Sequence, residues 1–302
     1  MAVILPTLKP GVSTGFSFTD KILNLQQPQV MAILNITPNS FSSIGRCLRV
    51  DDALFLAEQM LEEGAHIIDI GGEATNPGVH PMVSVQQELE RVVPVVNAIA
   101  QRLDIIISVD TGKPAVIKEV VQAGAHLIND QRALRLEGAL EAVADAKVPV
   151  CLMHMLYPEG LPPKPQLAPY PKGVVNHVKQ FLEERVQACL AAGISASQII
   201  IDPGIGGGSF GKTPAEDLSL LRDLKVLQSL GLPILIGTSR KSFIGHLLNL
   251  PVEERLPASL ATVLIAALNG ANILRVHDVK ATREVLHILK AIEDPITFTK
   301  NS

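Results

Sequence analysis

Short apolar runs alternate with longer amphipathic stretches over most of the chain. In three places a Gly-Ala pair precedes an aliphatic run that ends in a polar residue: EEGAHIIDIGG (62–72), QAGAHLINDQ (122–131) and NGANILRVHD (269–278). Glycine often ends a helix in the left-handed conformation, and a continuous aliphatic run is typical of a strand buried on both faces. The pattern predicts repeated strand and helix units around a parallel sheet.

The stretches between these runs have helical periodicity. Across 85–103 the apolar residues recur every three or four positions, which places them on one face of a helix. They are Val85, Leu89, Val92, Val96, Ile99 and Leu103. Ser84 and Gln87 fit a capping box at the start of this helix. Pro94 predicts a kink, because proline removes one helical hydrogen bond.

Eight such alternations predict a single-domain α/β fold of the (β/α)8 or TIM barrel type, with a doubly wound sheet as the alternative. The predicted strands are 29–35, 66–71, 105–110, 126–130, 148–154, 198–202, 232–237 and 272–277. The barrel is expected to occupy 29–295, after an irregular lead-in at 1–28 that plugs or flanks the barrel bottom. The proline-rich segment 155–172 is a long loop within the barrel, because the alternation resumes after it.

Polar residues stand at or just after the carboxyl ends of the predicted strands. They are Asn35, Asp69, Glu73, Asp110, Asn129, Asp130, His154, Asp202, Arg240, Lys241, Arg275 and His277. One aspartate after a strand is most often only a helix cap. A barrel, however, brings all eight strand ends to one face, where its active sites form. The sequence therefore predicts an active site on that face.

The residue types at these positions limit the ligand. Buried carboxylates, amides and cations together suit a molecule with both donor and acceptor groups. Asp202 could accept two hydrogen bonds from a guanidine-like edge of a heterocycle, and Arg275 could stack on the ring face. Asn35, Thr75 and His277 lie at the tips of strands 1, 2 and 8. Strands 1 and 8 are neighbours in a closed barrel, so these groups could meet a phosphate and Mg²⁺. We expect a planar polar heterocycle with an anionic leaving group.

Composition excludes several other classes of protein. Of the 302 residues, 47% are hydrophobic, and the net charge of -4 provides no general attraction to nucleic acid or a membrane surface. The longest apolar run, about 260–268, is too short to span a bilayer, and no leader opens the chain. The three cysteines form neither a disulfide framework nor a metal motif. We expect a cytoplasmic protein whose partners are small molecules.

The stretch GGGSFGKT (206–213) fits the phosphate-binding pattern G-x-x-x-x-G-K-[ST], which would indicate an ATPase or GTPase. That loop requires a strand leading directly into the first glycine, and here residues 202–205 intervene. Pro214 also follows Thr213 and disfavours helical conformation there, so Thr213 is expected to cap a helix beginning at Pro214. We interpret the match as coincidence, with a mobile loop that contacts no ligand as a further alternative.

Eight ordered segments, from about Val30 to Lys290, resemble the motifs of the dihydropteroate synthase family. They are MAILNITPNSFSSIG, IIDIGGEATNPG, ISVDTGK, LIND, CLMHM, IIIDPGIG with FGKT, GTSRKSFIG and LRVHDV. The resemblance implies a (β/α)8 barrel, usually a homodimer, which acts in folate biosynthesis and is a sulfonamide target. The implied reaction joins 6-hydroxymethyl-7,8-dihydropterin diphosphate to p-aminobenzoate, giving 7,8-dihydropteroate and pyrophosphate.

The resemblance also implies roles for individual residues. Asn35 would contact Mg²⁺ and the diphosphate. The catalytic and pterin-binding set would be Asp110, Asn129, Asp202 and Lys241. The other substrate contacts would be Thr75, Met153, Phe210, Gly237, Ser242, Arg275 and His277. Phe210 and Ser242, together with Lys241, would face p-aminobenzoate.

Several loop positions depart from the family pattern. Asn76 replaces an arginine, Gln131 replaces a usual apolar residue, and Asn39 and Ser43 also differ. Because the pterin-binding residues are all present, we expect these changes to affect the rate and the p-aminobenzoate affinity more than pterin binding. Two alternatives share the fold: a pterin-binding methyltransferase and a non-catalytic paralogue. The SRKS stretch (239–242) argues against the methyltransferase.

Overall fold

Eight parallel strands form the centre of the protein in a computed structural model that describes residues 15–36, 50–73, 83–157, 170–206 and 210–295. The strands, preceded by a two-stranded hairpin, are β1 Gly15–Phe18, β2 Lys21–Asn24, β3 Gln29–Asn35, β4 Ile67–Gly71, β5 Ile106–Asp110, β6 Leu127–Asp130, β7 Val150–Met153, β8 Ile199–Asp202, β9 Leu235–Ile236 and β10 Ile273–Val276. The order in the large sheet is β8-β7-β6-β5-β4-β3-β10-β9. A parallel bridge between Ile201 and Ile234 joins its two edges. The predicted (β/α)8 barrel is confirmed.

Helices follow the strands and cover the outside of the barrel. They are α1 Val50–Glu62, α2 Val85–Arg102, α3 Pro114–Gln122, α4 Ala139–Ala146, α5 Val174–Ala191, α6 Pro214–Arg222, α7 Ser242–Leu248, α8 Leu256–Leu268 and α9 Val279–Glu293. The predicted capping box of Ser84 and Gln87 begins α2, which continues through Pro94. No described helix combines the length and the apolar character that a membrane crossing requires.

The predicted strand positions agree with the structure within about two residues, except for β9. That strand was expected over 232–237 and comprises two residues. Pro233 has no N–H to donate, which shortens strand pairing at this point. Its carbonyl still accepts from the Ile201 N–H at 2.9 Å, so the barrel remains closed there.

One buried apolar residue from each barrel strand forms a layer inside the lower half of the barrel. The layer comprises Met31, Ile67, Ile106, Leu127, Cys151, Ile200, Leu235 and Ile273. Phe16, Phe18, Leu23 and Leu25 from the β1–β2 segment belong to the same buried cluster. The prediction of an irregular lead-in is therefore wrong for residues 15–24, which form an antiparallel hairpin over the barrel bottom.

The apolar layer determines which side chains face the interior above it. Side chains alternate along a strand, so the residue two positions further along also faces inward. Two positions beyond the apolar layer stand Ile33, Asp69, Ser108, Asn129, Met153, Asp202, Gly237 and Arg275. Two positions further stand Asn35, Gly71, Asp110, Gln131, Met155, Gly204, Ser239 and His277. Polar chemistry is thus concentrated in the upper half of the barrel.

Candidate active site

Asp69 is the centre of a buried hydrogen-bond network on the barrel floor. It is fully buried and accepts from Ser108 Oγ at 2.6 Å, Asn129 Nδ2 at 3.0 Å and Arg275 Nε at 2.6 Å. A buried charge is tolerated only when it is paired and hydrogen-bonded. The network therefore connects four strands and fixes the guanidinium of Arg275 above the apolar layer.

Asp110 lies beside Arg275 at the upper end of β5. Its Oδ2 accepts from Arg275 Nη2 at 3.2 Å and from Gln131 Nε2 at 2.6 Å. Burial raises the pKa of Asp110 to about 7; the nearby charge of Asp69 also raises it, and Arg275 opposes both. This carboxyl group is therefore poised to change its charge close to neutral pH.

Asp202 faces the same space from β8. Its Oδ1 accepts the Gly204 N–H at 2.7 Å, and its Oδ2 has no hydrogen-bond partner among the described residues. Burial raises the pKa of Asp202 to about 6, although the Gly204 N–H and the charge of Lys241 favour the carboxylate. A buried carboxylate with an unused oxygen suits a ligand that presents N–H donors.

Lys241 and an apolar wall lie near Asp202. Lys241 precedes α7, and its Nζ lies 5.1 Å from the centroid of the Phe210 ring. Burial lowers the pKa of Lys241. Phe210 packs with Met153 and Met155 in a small buried cluster. This arrangement of a cation, an aromatic ring and thioethers is suited to a flat ring.

His277 and Asn35 occupy the rim of the pocket. Ser239 Oγ accepts the His277 backbone N–H at 3.2 Å and lies 3.1 Å from His277 Nδ1. Burial and the charge of Arg275 lower the pKa of His277 to about 4, so the ring is neutral at neutral pH. Asn35 is half-buried, and a Cβ on Gly71 would lie 3.1 Å from its Oδ1, which places this amide beside β4.

The glycine-rich loop after β8 is anchored by a buried lysine. Lys212 is fully buried, and its Nζ lies 2.8 Å from Nδ1 of His154. Burial lowers the pKa of Lys212 to about 8 and that of His154 to about 2, so the lysine is the donor. Gly204 has a φ of 69°, and a Cβ there would overlap the His154 carbonyl oxygen. Lys212 is therefore inaccessible to a nucleotide phosphate.

The same loop meets α6 as predicted. Thr213 caps the helix with a capping box to Glu216, and Pro214 is the first helical residue. A nucleotide-binding loop requires the lysine and threonine inside the first helical turn, facing the phosphates. The interpretation of GGGSFGKT as coincidence agrees with this geometry.

We expect ATP titrations to give no binding signal for either the wild-type protein or Lys212→Ala. Calorimetry checks this, with thermal unfolding measured for both proteins because the substitution removes a buried contact. Micromolar ATP binding by the wild type that disappears in the variant would restore the nucleotide-loop interpretation.

A second buried charge cluster surrounds Glu73, which follows β4. Lys113 forms ion pairs with Glu73, at 2.8 Å, and with Glu88, and Arg132 Nη2 lies 3.5 Å from Glu73. The residues come from four different elements or their loops. The cluster therefore ties Glu73 to α2, to the start of α3 and to the loop after β6.

All predicted site residues within the described part of the chain lie at the carboxyl end of the barrel. Asp110, Asn129, Asp202, Arg275, Lys241, Met153 and Phe210 surround one space, with Gly237, Ser242, His277 and Asn35 at its edges. Thr75 lies outside the described residues, as do Asn39, Ser43 and Asn76. The sequence prediction gave no role to Asp69, Ser108 or Gln131. Counting alternate residues from the apolar layer would have found all three.

Residues 31–277 match the family model described as pterin binding enzyme. The barrel and its pocket therefore belong to the class of pterin-binding enzymes. Over 269 residues the chain is 49% identical to the dihydropteroate synthase of Escherichia coli K12, covering 89% of this chain and 93% of that protein. It is 48% identical to the Haemophilus influenzae dihydropteroate synthase over 272 residues, covering 90% and 96% of the two chains.

Solved structures give the same result. The Yersinia pestis dihydropteroate synthase, in a sulfonamide drug complex, superposes with a TM-score of 0.85 at 48% identity, covering 92% of this chain and 98% of that one. The Xanthomonas albilineans enzyme in complex with 7,8-dihydropteroate has a TM-score of 0.83 at 43% identity, covering 93% and 99%. The chain belongs to the dihydropteroate synthase family.

Proposed function

We propose that the chain joins 6-hydroxymethyl-7,8-dihydropterin diphosphate to p-aminobenzoate, giving 7,8-dihydropteroate and pyrophosphate. The observation that carries this proposal is the buried Asp202 carboxylate, whose Oδ2 has no partner among the described residues, beside Lys241 in a pocket walled by Phe210 and Met153. The pocket offers an acceptor, a cation and an apolar wall to one flat ring, as a pterin requires.

The pterin occupies the barrel floor in this proposal. Asp202 accepts from the N–H and NH2 groups on the guanidine-like edge of the ring. Asn129 and Asp110 bind the other edge, and Arg275, fixed by Asp69, covers the ring face. These side chains are ordered before substrate arrives, so little conformational entropy is lost on binding.

The reaction breaks the bond between the pterin methylene carbon and the diphosphate oxygen. The methylene carbon gains positive character that the conjugated pterin delocalises, and the neutral amine of p-aminobenzoate then bonds to it and loses a proton to water. No described side chain is required as a nucleophile. The contribution of the protein is to hold the two rings and the leaving group in line.

The second substrate and the diphosphate lie nearer the rim. Phe210, Lys241 and Ser242 contact p-aminobenzoate, and sulfonamides compete at the same position. His277 Nδ1 lies 3.1 Å from Ser239 Oγ. In this proposal the Ser239 hydroxyl donates to Nδ1, and Nε2 carries the proton and donates to the diphosphate beside Arg275. Thr75 joins this group in the proposal, although it lies outside the described residues.

Magnesium accompanies the diphosphate. Among the described residues, no group of three His, Cys, Asp or Glu side chains is placed to hold a metal. Mg²⁺ commonly binds through one or two protein oxygens together with substrate phosphates, and the Asn35 amide oxygen fits that requirement. When bound, the ion would neutralise charge on the departing diphosphate. Calorimetric titration of Mg²⁺ with pyrophosphate present should give weaker binding for Asn35→Ala than for the wild type.

A homodimer and a cytoplasmic location complete the proposal. Leu247 and Leu248 of α7 are 57% and 53% exposed, and Val252, four residues further along the chain, is also exposed, which favours a protein contact at this segment. Cys151 and Cys189 are free thiols, as is usual in a reducing compartment. Sedimentation equilibrium tests the dimer, and a monomer at micromolar concentration would contradict it.

Pyrophosphate release with both substrates present tests the function directly. We expect release that depends on p-aminobenzoate and is accompanied by 7,8-dihydropteroate in equal amount. Pterin binding without release would identify a non-catalytic paralogue instead. Absence of pterin binding would remove the proposed function altogether.

A further inference from the structure

Gln131 is a buried polar residue next to Asp110 in the pocket. It follows β6 directly and lies two positions beyond the inward-facing Asn129. Its Nε2 donates to Asp110 Oδ2 at 2.6 Å, and the residue is only 7% exposed. No other barrel residue except Arg275 contacts that carboxylate oxygen among the described hydrogen bonds.

The backbone around Gln131 is firmly held. Asp130 is fully buried and accepts the N–H groups of Arg132 at 2.8 Å and Leu134 at 2.7 Å. Leu134 has a φ of 55°, a conformation that side chains rarely adopt. Arg185 of α5 donates to the Leu134 carbonyl at 3.1 Å and stabilises this turn. The amide of Gln131 is therefore presented to Asp110 by a rigid loop.

Both donors bind the same oxygen of Asp110. Arg275 Nη2 and Gln131 Nε2 approach Oδ2, and Oδ1 has no partner among the described residues. Two donors on one oxygen fix the rotation of the carboxylate about its axis. The other oxygen then has a defined direction from which it can accept a ligand N–H.

We propose that Gln131 is a positioning residue of this enzyme, which holds the Asp110 carboxylate ready to accept a ring N–H of the bound pterin. This inference rests on the proposed function, because it assumes that the heterocycle contacts Asp110. It gives a role to a position where the family usually has an apolar residue, so it distinguishes this chain from the common pattern.

The electrostatics of Asp110 agree with such a role. Burial and the charge of Asp69 favour the neutral carboxyl and raise its pKa to about 7, whereas Arg275, the Gln131 hydrogen bond and Arg132 lower it. These residues are the charged and hydrogen-bonding groups that face Asp110 from β4, β10 and the loop after β6. Loss of the Gln131 donor raises the pKa further, so Asp110 becomes protonated at higher pH.

The test compares the wild type with Gln131→Met, which keeps the length of the side chain and removes the donor. The ligand is 6-hydroxymethyl-7,8-dihydropterin without its diphosphate, because a phosphate group itself titrates near pH 6. Its dissociation constant is measured from about pH 5 to about pH 9. We expect affinity about tenfold weaker at neutral pH and a decline on acidification that begins at higher pH than in the wild type.

Two further variants make the result specific. Gln131→Glu replaces the donor with a like charge and should shift the decline further in the same direction. Gln29→Met alters a glutamine that is 8% exposed at the other end of the barrel, where its Nε2 donates to the Gln27 carbonyl. Its binding curve should coincide with that of the wild type at every pH.

Each outcome separates the two proposals. Wild-type binding with an unchanged pH profile in both Gln131 variants would overturn the positioning role and leave the proposed function intact. Two results would assign Gln131 a packing role only. One is weaker binding by the Gln131 variants with the pH profile of the wild type. The other is weaker binding together with lower thermal stability in the Gln131 variants and not in Gln29→Met. If the wild type fails to bind the pterin, both proposals are rejected.

Discussion

Asp202→Ala is expected to abolish measurable pterin binding while the barrel stays folded. The variant loses a buried carboxylate whose Oδ2 has no partner among the described residues, and the ring donors that it would receive are left unpaired. The loss of such charge-assisted bonds costs roughly 3 kcal/mol or more, which is more than a hundredfold in affinity. Calorimetry with a dihydropterin measures it.

The stability of the same variant should not fall. Folding raises the pKa of Asp202 from 3.8 to about 6. When the pKa of a carboxyl group is higher in the folded than in the unfolded chain, the group destabilises the fold, because the unfolded chain ionises it more easily. This destabilisation grows as pH rises between the two pKa values and is complete above about pH 6. The melting temperature of Asp202→Ala at neutral pH is therefore expected to equal or exceed that of the wild type.

Asp223→Ala is the control for this experiment, since Asp223 pairs with Arg222 on the surface after α6. It should bind the pterin as the wild type does. Near-normal binding by Asp202→Ala would remove Asp202 from the site, and binding lost together with the folded structure would assign it a structural role.

Asp69→Ala is expected to produce the largest loss of stability among these variants. Among the described residues, removal of Asp69 leaves the buried Arg275 guanidinium with only the 3.2 Å contact to Asp110. It also takes the acceptor at Asp69 away from Ser108 and Asn129. Breaking a buried ion pair by removing one partner costs about 3–5 kcal/mol. Chemical denaturation at neutral pH measures the free energy of unfolding.

The matched control for Asp69 is Asp278→Ala. Asp278 also pairs with an arginine, Arg240, through two contacts of 2.6 and 2.9 Å, but the two side chains are 20% and 28% exposed. Water can replace part of that interaction, so the expected loss is about 1 kcal/mol or less. Equal losses of unfolding free energy in Asp69→Ala and Asp278→Ala would contradict the conclusion that the buried Asp69 network stabilises the barrel.

The sequence predicted the barrel well because its strands are apolar on both faces and three of them follow a Gly-Ala pair that ends a helix. It also placed Asp202, Asp110 and Arg275 together at the carboxyl end of the barrel, since the strand ends of a barrel share one face. The pairing between these residues could not be predicted, because it depends on strand register and on side-chain rotamers. Asp69 was noticed at a strand end but given no role, although it binds three neighbours.

Other features depended on contacts between distant segments. The hairpin at 15–24 has strands of four residues, too short to be recognised by their alternation, and it is stabilised by Phe16 and Phe18 packing at the bottom of the barrel. Gln131 was recognised only as a departure from a motif. The hydrogen bond from Gln131 to Asp110 depends on the turn that Asp130 stabilises, and the sequence alone does not specify this turn.

The hydrogen bond between Arg275 and Asp69 joins residues 206 positions apart, and this has a consequence for synthesis of the chain. A ribosome-bound intermediate that ends before β10 contains Asp69, Asn129 and Asp202 but lacks the guanidinium that pairs with the floor. Contacts of such long range form late and slow the folding of a chain. The nascent protein therefore carries the acidic residues of the floor without their cation until β10 has emerged.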